Sequence, residues 1–397
     1  MQPPIQCPGF LAAGVAAGIK KKEGALDLGL IYSQEPDTTV AGMFTRNRVM
    51  AAPVVLTKAR SATGTARAIM ANAGCANCCT GSQGMVHAKR MTAGVAAGLQ
   101  LAEEQVLVAS TGTIGLSLPI DKVQAALPTL MGQLRADGFE SFSQAIMTTD
   151  TVPKLVQRRG SLEGRSFTVV AVAKGAGMIR PDLATMFCFV CTDAAASADT
   201  LQTMLRASVD KSLNRITIDG DTSTNDTVLI MANGVSGARI RTAEHQRVFQ
   251  AVLDDLLMEV ARRLVKDGEG VTKVVEIKVQ GAASDVDALK VAETVAHSPL
   301  VKTAFFGEDA NWGRILGAAG RAGVELDAER IDVFFDAVQM VKAGQGCGQA
   351  AEDRVTAVMR RPEFAVTIDL HLGSGAGAML TCDFSVDYVR INADYRS

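Results

Sequence analysis

The chain has 397 residues, 48% of them hydrophobic, which is enough for two domains with well-developed cores. Its 40 Lys and Arg against 42 Asp and Glu give a formal charge of −2, so no global field favours nucleic acid or an anionic membrane. The sequence starts without a basic segment followed by an apolar one, and it has no apolar run long enough to span a bilayer. We therefore expect a cytoplasmic protein whose partners are small molecules.

Short apolar runs alternate with turns rich in Gly, Asn and Thr in the first third of the chain, a pattern that predicts strands ending in functional loops. Residues 54–56 and 106–109 are two such predicted strands, and a turn at residues 110–112 is expected to end the second. A later apolar strand is expected to end at Lys174, where a glycine-rich turn begins. Glycine gives such a turn its backbone freedom.

Apolar residues at helical spacing predict two amphipathic helices, over residues 198–213 and 244–265, that cover a sheet. Beyond Lys273 the pattern changes to a regular alternation of strand and helix, without a flexible linker at the border. We therefore expect a catalytic domain over residues 1–272 and a smaller α+β domain over residues 273–397.

The predicted C-terminal domain begins with a strand at 275–279 and a helix at 286–295. Two further strands are predicted at 364–372 and 382–388, because apolar and polar residues alternate there. The glycine-rich segment 373–377 is expected to be the turn that joins them.

Eight cysteines are too few for a disulfide-stabilised secreted protein of this length, which favours reduced thiols. Two C-x-x-C spacings, Cys75 with Cys78 and Cys188 with Cys191, could in principle supply four thiolates to a zinc ion. Cys188 and Cys191 lie in a strongly apolar run, however, where cysteine behaves as a small hydrophobic residue. We therefore expect no metal, and keep a zinc-stabilised binding module as the less favoured alternative.

Thr185 stands in a small-residue setting after the glycine-rich turn, with Ala184 before it. A threonine hydroxyl is a poor nucleophile at neutral pH unless a base lies beside it, and an N-terminal threonine carries that base in its own α-amine. The α-amine titrates at about pH 7.7–8.0, so much of it can accept a proton. This layout suits a chain that cleaves itself before Thr185.

Eight sequence blocks follow one another in a fixed order along nearly the whole chain. They are Phe44–Val49, Ser110–Gly115, Met147–Asp150, Lys174–Met186, Asn214–Asp226, Asp267–Gly270, Gly307–Arg314 and Asn392–Ser397. In these blocks the chain resembles the ornithine acetyltransferases, also called glutamate N-acetyltransferases, of arginine biosynthesis. One block would be weak support, but eight in register argue against chance similarity.

This resemblance implies autocatalytic cleavage into an α fragment of residues 1–184 and a β fragment from residue 185. The implied fold is α/β (α+β): a layered β-sheet sandwich flanked by helices, of N-terminal-nucleophile type, with a smaller C-terminal α+β domain. The implied reaction is a ping-pong transfer of acetyl from N-acetylornithine to glutamate through the acetylated threonine, without a cofactor. The implied assembly is a heterotetramer of two α and two β fragments. Whether acetyl-CoA also donates acetyl stays open.

The resemblance also assigns roles to single residues. Thr185 is the nucleophile, and the Ala184–Thr185 bond is the cleavage site. Thr111 and Gly112 match the oxyanion-hole pair, one through its hydroxyl and the other through its backbone N–H. The matching substrate contacts are Lys174, Glu269, Asn392 and Ser397, together with Thr148 or Thr149, between which the sequence does not decide.

The largest departure from the family pattern is the segment Asn72–Gly81, where Cys75 replaces a hydrogen-bonding Asn. The departure leaves the nucleophile in place. Within enzymes, the alternative is a self-processing amidase or aminopeptidase of similar architecture, in which water rather than glutamate accepts the acyl group.

Overall fold

The computed structural model describes residues 4–180 and 186–394. Ala184, Thr185 and Ser397, which the sequence analysis assigns to the site, lie outside these ranges. Within the described residues, no helix is both long enough and apolar enough to cross a membrane.

Contacts divide the chain into two compact units. The first unit contains the described residues up to 214 and residues 221–264, and the second contains residues 215–220 and the described residues from 265 onward. Residues 215–220 belong to the second unit because Ile216 pairs with Leu380. The predicted domain border at residue 273 stays a prediction.

A four-stranded sheet and four helices make up one half of the first unit. The strands are β1 Phe10–Val15, β2 Leu28–Ser33, β4 Ala68–Cys75 and β5 Val106–Thr113, and the helices are α1 Ala52–Ser61, α2 Gly81–Leu99, α3 Ile120–Gly132 and α4 Phe139–Ile146. The strand order is β1-β2-β4-β5, and only β4 and β5 pair in parallel.

A five-stranded sheet makes up the other half. Its strands are β3 Thr39–Phe44, β6 Lys154–Leu162, β7 Arg165–Lys174, β8 Phe187–Thr192 and β9 Thr227–Ala232, and its helices are α5 Ala198–Lys211 and α6 Ala243–Lys266. The strand order is β3-β9-β8-β7-β6, with β8 and β9 parallel and the other pairs antiparallel.

The two sheets pack face to face. Alternate side chains of each strand, such as Ile31 of the first sheet and Phe189 of the second, form one shared core. The opposite face of the first sheet packs on α2 and α3. On the outer side of the second sheet, Phe249 of α6 lies against Phe167 of β7 with ring centroids 5.3 Å apart. This is the predicted sandwich of sheets flanked by helices.

The second unit is a six-stranded sheet with helices. Its strands are β10 Val274–Ala282, β11 Asp332–Phe335, β12 Val338–Lys342, β13 Gln345–Gly346, β14 Glu363–Asp369 and β15 Gly375–Cys382, and its helices are α7 Asp285–Ala296, α8 Pro299–Phe306, α9 Trp312–Gly320, α10 Gln349–Met359 and α11 Val386–Asp394. The order is β13-β12-β11-β14-β10-β15. Val275, Ile277 and Val279 face the core of this unit, as their alternation predicts.

The predicted helices at 198–213 and 244–265 are confirmed as α5 and α6, with small changes at their ends. Ser197 caps α5 by accepting a hydrogen bond from Thr200 N. The helix ends at Lys211, and Leu213 starts a short 3₁₀ turn.

Two predictions in the first third of the chain are wrong. Residues 54–56 belong to helix α1, and Pro53 lies in the first turn of that helix. The helix buries residues at helical spacing, but three residues are too few to show this period in the sequence. Residues 110–112 are not a turn, because β5 continues to Thr113 in parallel register with β4.

The predicted strand at 382–388 is also wrong. Strand β15 ends at Cys382, and Ser385 then caps α11 by accepting a hydrogen bond from Tyr388 N at 3.2 Å. The predicted turn at 373–377 is shorter than expected, since Gly375 and Gly377 already belong to β15. A Cβ on Gly375 would lie 2.2 Å from the carbonyl carbon of Ser284, so this glycine is needed for close packing rather than for a turn.

Candidate active site

One edge of the five-stranded sheet holds the ends of β7 and β3 and the starts of β8 and β9, because β7 and β3 run opposite to β8 and β9. Phe187 pairs with Lys174 on one side and with Thr227 on the other. Ala184 and Thr185 are outside the described residues, and the chain enters β8 two residues after Thr185. Catalytic groups are therefore expected at this edge of the sheet.

Lys174 is buried at this edge, with 2% of its surface exposed. Its Nζ donates hydrogen bonds to Thr148 Oγ1 at 2.7 Å and to Thr111 Oγ1 at 3.3 Å. An ammonium group only donates, so each threonine oxygen accepts and keeps its own hydroxyl hydrogen for another acceptor. Three residues that the sequence assigns to the site thus lie together. Of the two candidate threonines, Thr148 is the one to which Lys174 donates this hydrogen bond.

Thr111 and Gly112 lie near the end of β5, opposite Ala73 and Gly74 of β4. Gly112 has a φ of +127°, and a Cβ there would lie 2.4 Å from the carbonyl carbon of Gly74. Only glycine tolerates this backbone and this approach. Gly112 therefore lets β5 continue beside β4, which places the Thr111 hydroxyl against Lys174.

Asp150 holds the neighbouring groups in place. It accepts hydrogen bonds from Lys154 Nζ at 2.6 Å, from Gly175 N at 2.7 Å and from Thr148 N at 2.9 Å, and it lies 3.9 Å from Lys174 Nζ. Burial alone would raise the pKa of this carboxyl, but the charges of Lys174 and Lys154 and these hydrogen bonds hold the pKa well below its usual range. The carboxylate therefore stays ionised and orients both Thr148 and the start of the glycine-rich turn.

Asp226, just before β9, is fully buried and accepts a 3.0 Å hydrogen bond from Met186 N. Burial raises the pKa of its carboxyl well above the usual range, which favours the protonated form. The neighbouring Asn225 donates from Nδ2 to the carbonyl oxygens of Ser110 at 2.6 Å and Ala76 at 2.7 Å. These bonds connect the start of β9 to the end of β5, and so connect the two sheets at the site.

Asp150, Lys154, Asn225 and Asp226 also lie at this candidate site, and the sequence did not point to them. Asp150 and Lys154 are four residues apart, a spacing that equally fits an exposed ion pair. Asn225 and Asp226 end a polar run directly before the apolar strand β9, where polar side chains reach a sheet edge. The polar run before β9 is visible in the sequence, but such a run does not distinguish a catalytic edge from an ordinary loop.

Glu269 and Asn392 form a separate pair in the second unit. Asn392 Nδ2 donates to Glu269 Oε2 at 2.8 Å, and 9% of Glu269 is exposed. Gly270 has a φ of +67°, and a Cβ there would lie 2.4 Å from Tyr388 N, so glycine allows the segment to pack on the start of α11. The structure thus brings two predicted substrate contacts together, while Ser397 lies outside the described residues.

The cysteine pairs have packing partners. Cys188 and Cys191 are fully buried in β8, and burial raises the pKa of the Cys188 thiol to about 12. Cys75 is buried at the end of β4, with its Sγ 3.3 Å from the Leu116 carbonyl oxygen. Among the described residues, no group of three or more His, Cys, Asp or Glu side chains is arranged to hold a metal ion.

A family model described as the ArgJ family matches residues 11–397. The arginine biosynthesis bifunctional protein ArgJ of Geobacter sulfurreducens is 49% identical over 391 residues, which cover 98% of this chain and 99% of the relative. The crystal structure of a protein of the same name from Bacillus halodurans has a TM-score of 0.50 at 41% identity, over 52% of this chain and 98% of that chain. A solved ornithine acetyltransferase complexed with ornithine, from Mycobacterium tuberculosis, has a TM-score of 0.39 at 39% identity, over 44% of this chain and 92% of that chain.

Proposed function

The chain belongs to the ArgJ family, and from that membership we propose how its own residues carry out the reaction. The protein is a glutamate N-acetyltransferase of arginine biosynthesis, which moves an acetyl group from N-acetylornithine to glutamate and releases ornithine and N-acetylglutamate. Because its relatives are named bifunctional, the proposal includes acetyl-CoA as a second acetyl donor for glutamate.

Self-cleavage generates the catalytic base in this proposal. The Thr185 hydroxyl attacks the carbonyl carbon of Ala184, and the peptide nitrogen leaves as the new α-amine, so an ester forms between the two residues. Water then hydrolyses the ester, which gives a carboxylate on Ala184 and a free hydroxyl on Thr185. The freed α-amine lies within its own residue, where it can act as general base.

Acetyl transfer repeats the same attack on a substrate. The Thr185 hydroxyl attacks the acetyl carbon of N-acetylornithine while the α-amine takes the hydroxyl proton. The α-ammonium then returns that proton to the leaving ornithine nitrogen, and the acetyl group stays on Thr185 as an ester. The unprotonated amine of glutamate attacks this ester, which releases N-acetylglutamate and restores the hydroxyl.

The observation that carries this proposal is the contact of Lys174 with Thr111 and Thr148 at the sheet edge. Each half-reaction places negative charge on a carbonyl oxygen, which fixed donors must stabilise. We assign the Thr111 hydroxyl and Gly112 N–H as those donors. The Lys174 ammonium polarises the Thr111 hydroxyl, since it donates to the oxygen and leaves the hydrogen free to meet the oxyanion.

We assign the substrate-binding residues by charge complementarity. We propose that the Glu269 carboxylate binds the ammonium group of an amino-acid substrate. Asn392 holds the Glu269 carboxylate in one orientation by donating a hydrogen bond to it. Lys174 and Thr148 are assigned to substrate contact on the family resemblance, and Thr148 is preferred to Thr149 because Lys174 donates a hydrogen bond to Thr148. Ser397 is retained as a substrate contact on the family resemblance.

The remaining parts of the proposal concern assembly, location and cofactors. We propose a heterotetramer of two α and two β fragments, as in the family, and a cytoplasmic location suited to an enzyme of amino-acid biosynthesis. The hydroxyl, the amine and the oxyanion donors suffice for acyl transfer, so the proposed mechanism uses no metal or prosthetic group.

Intact mass under denaturing conditions tests the proposal directly. The wild-type chain should give fragments of residues 1–184 and 185–397, and Thr185→Ala should remain one inactive chain. Thr185→Ser is the matched control, because it keeps a hydroxyl and should still cleave. A wild-type chain that transfers acetyl at full rate without cleavage would contradict the free-amine mechanism.

Product analysis separates the transferase from a hydrolase. With N-acetylornithine alone, the transferase should release about one equivalent of ornithine per site and then stop until glutamate is added. Continuous release of acetate without glutamate would instead identify water as the acyl acceptor.

A further inference from the structure

A cationic groove lies in the first unit, where the end of β3, helix α1 and helix α5 meet. Arg46, Arg48, Lys58 and Arg206 line a cavity of about 520 Å³, and none of the described residues that line it is acidic. The whole chain has nearly equal numbers of basic and acidic residues. Four cations and no acid among the described lining residues therefore depart from the average surface of this protein.

Three of these cations are available to a ligand. Arg48, Lys58 and Arg206 are exposed, and within the described part of the chain their side chains form no hydrogen bond or ion pair. Like charges that share one concavity repel each other, and only solvent or an anion can offset that repulsion. The arrangement is typical of a site that gains affinity when a multiply charged anion enters.

Neutral side chains give the groove a defined shape. Gln202 and Arg206 are one helical turn apart on α5, so they share a face. Gln202 Oε1 accepts a hydrogen bond from Gly42 N at 3.3 Å, which leaves the amide hydrogens of Gln202 to donate into the groove. Asn47 donates to the Thr222 carbonyl at 3.0 Å and thereby fixes the segment that carries Arg48.

The groove opens at the same sheet edge as the candidate active site. Phe44, which lines it, pairs with Thr227, and Thr227 pairs with Phe187. Two strand spacings separate Phe44 from Phe187, which is about 10 Å. A ligand anchored in the groove could therefore extend towards the edge where β8 begins.

We propose that this groove binds the phosphate groups of a nucleotide-type ligand. Guanidinium and ammonium groups pair with phosphate by charge-assisted hydrogen bonds, and a single carboxylate would not use three available cations. The volume also lies within the range of about 300–1,000 Å³ for small-molecule sites. These phosphates belong either to the nucleotide portion of an acyl thioester donor or to a free nucleotide. The first of these two assignments rests on the proposed function.

Calorimetric titration of the cleaved enzyme with ADP tests the site, with acetate as the single-charge control. The double variant Lys58→Gln/Arg206→Gln removes two free cations and should weaken ADP binding about ten-fold or more. The matched control Lys89→Gln/Arg262→Gln removes exposed cations on α2 and α6, away from the groove, and should leave ADP affinity within about two-fold. Affinity should also fall as salt rises.

Absence of ADP binding to the wild type, or equal affinity in the two double variants, would overturn the proposal. Transfer from N-acetylornithine to glutamate is measured in parallel and should be unchanged in both, so failure of the groove is distinguishable from failure of the proposed function. If the groove variant also raises KM for acetyl-CoA, the phosphates are those of the thioester donor. If ADP binding is lost while acetyl-CoA kinetics stay the same, the ligand is a free nucleotide.

Discussion

Asp150 carries a buried charge, so its contribution to stability depends on pH. Its pKa is held below the value of an unfolded aspartate, about 3.9, by Lys174, Lys154 and backbone N–H groups. A depressed pKa means that the native state binds fewer protons than the unfolded state in this range. The stability contributed by the carboxylate is therefore fully present above about pH 5 and is lost as the pH falls towards the native-state pKa.

Asp150→Asn should destabilise the protein by about 3–5 kcal/mol at pH 7, because it removes the negative charge that lies against two buried lysines. The difference from wild type should shrink by about 1 kcal/mol at about pH 3, where the wild-type carboxylate begins to lose its advantage. Chemical unfolding at several pH values measures both quantities. Asp255→Asn is the control, since the exposed pair of Asp255 with Arg158 should contribute less than about 1 kcal/mol. A difference independent of pH would show that Asp150 acts through packing alone.

Elements were predictable from the sequence where a periodic pattern was long enough. The long helices α5 and α6 and the alternating strands β10 and β14 were predicted because ten or more residues, or a clean period of two, fixed their type. The predictions for short segments were wrong, since three apolar residues in α1 fit either a strand or a helix. The prediction of a strand at the start of α11 was also wrong. Apolar and polar residues alternate there, but the Ser385 cap starts a helix.

The candidate site was also predictable only in part. Motif resemblance predicted Thr111, Lys174 and Glu269 as site residues, but the sequence did not reveal that Lys174 donates a hydrogen bond to Thr148. Nor could it reveal Asp150 as their common anchor, since burial of a charge depends on which strands become neighbours. Contacts between residues far apart in the chain are set by sheet order, which no local pattern encodes.

The proposed mechanism depends on the backbone at the end of strand β5, which carries the two proposed oxyanion donors. Gly112→Ala should place a Cβ against the β4 backbone and displace the proposed oxyanion donors, because the nearest atom would lie at 2.4 Å. Losing such a donor costs about 2.7–4 kcal/mol of barrier, or roughly 100- to 1,000-fold in rate. Gly115→Ala is the control: its φ is +81°, but a Cβ there would meet nothing within 4 Å. Steady-state transfer rates should fall only for Gly112→Ala, and wild-type rates in that variant would remove the strand end from the oxyanion site.

At the scale of the whole molecule, the proposed cleavage point divides one sheet between two fragments. Strands β3, β6 and β7 precede residue 185, and β8 and β9 follow it. The sheet order β3-β9-β8-β7-β6 inserts the two later strands between earlier ones. Separating the fragments would therefore break two full ladders, β3 with β9 and β7 with β8, and expose the core shared by the two sheets.

The cleaved fragments should accordingly stay together in native buffer and separate only when the protein unfolds. Each broken ladder would leave unpaired backbone groups in the interior, and the shared apolar core would become exposed to water. Size-exclusion chromatography with intact-mass detection, across a denaturant series, measures this. Both fragments should elute together until the unfolding transition, and the uncleaved Thr185→Ala chain serves as the mass reference. Dissociation in native buffer, before loss of secondary structure, would contradict a sheet in which β8 and β9 lie between strands of the other fragment.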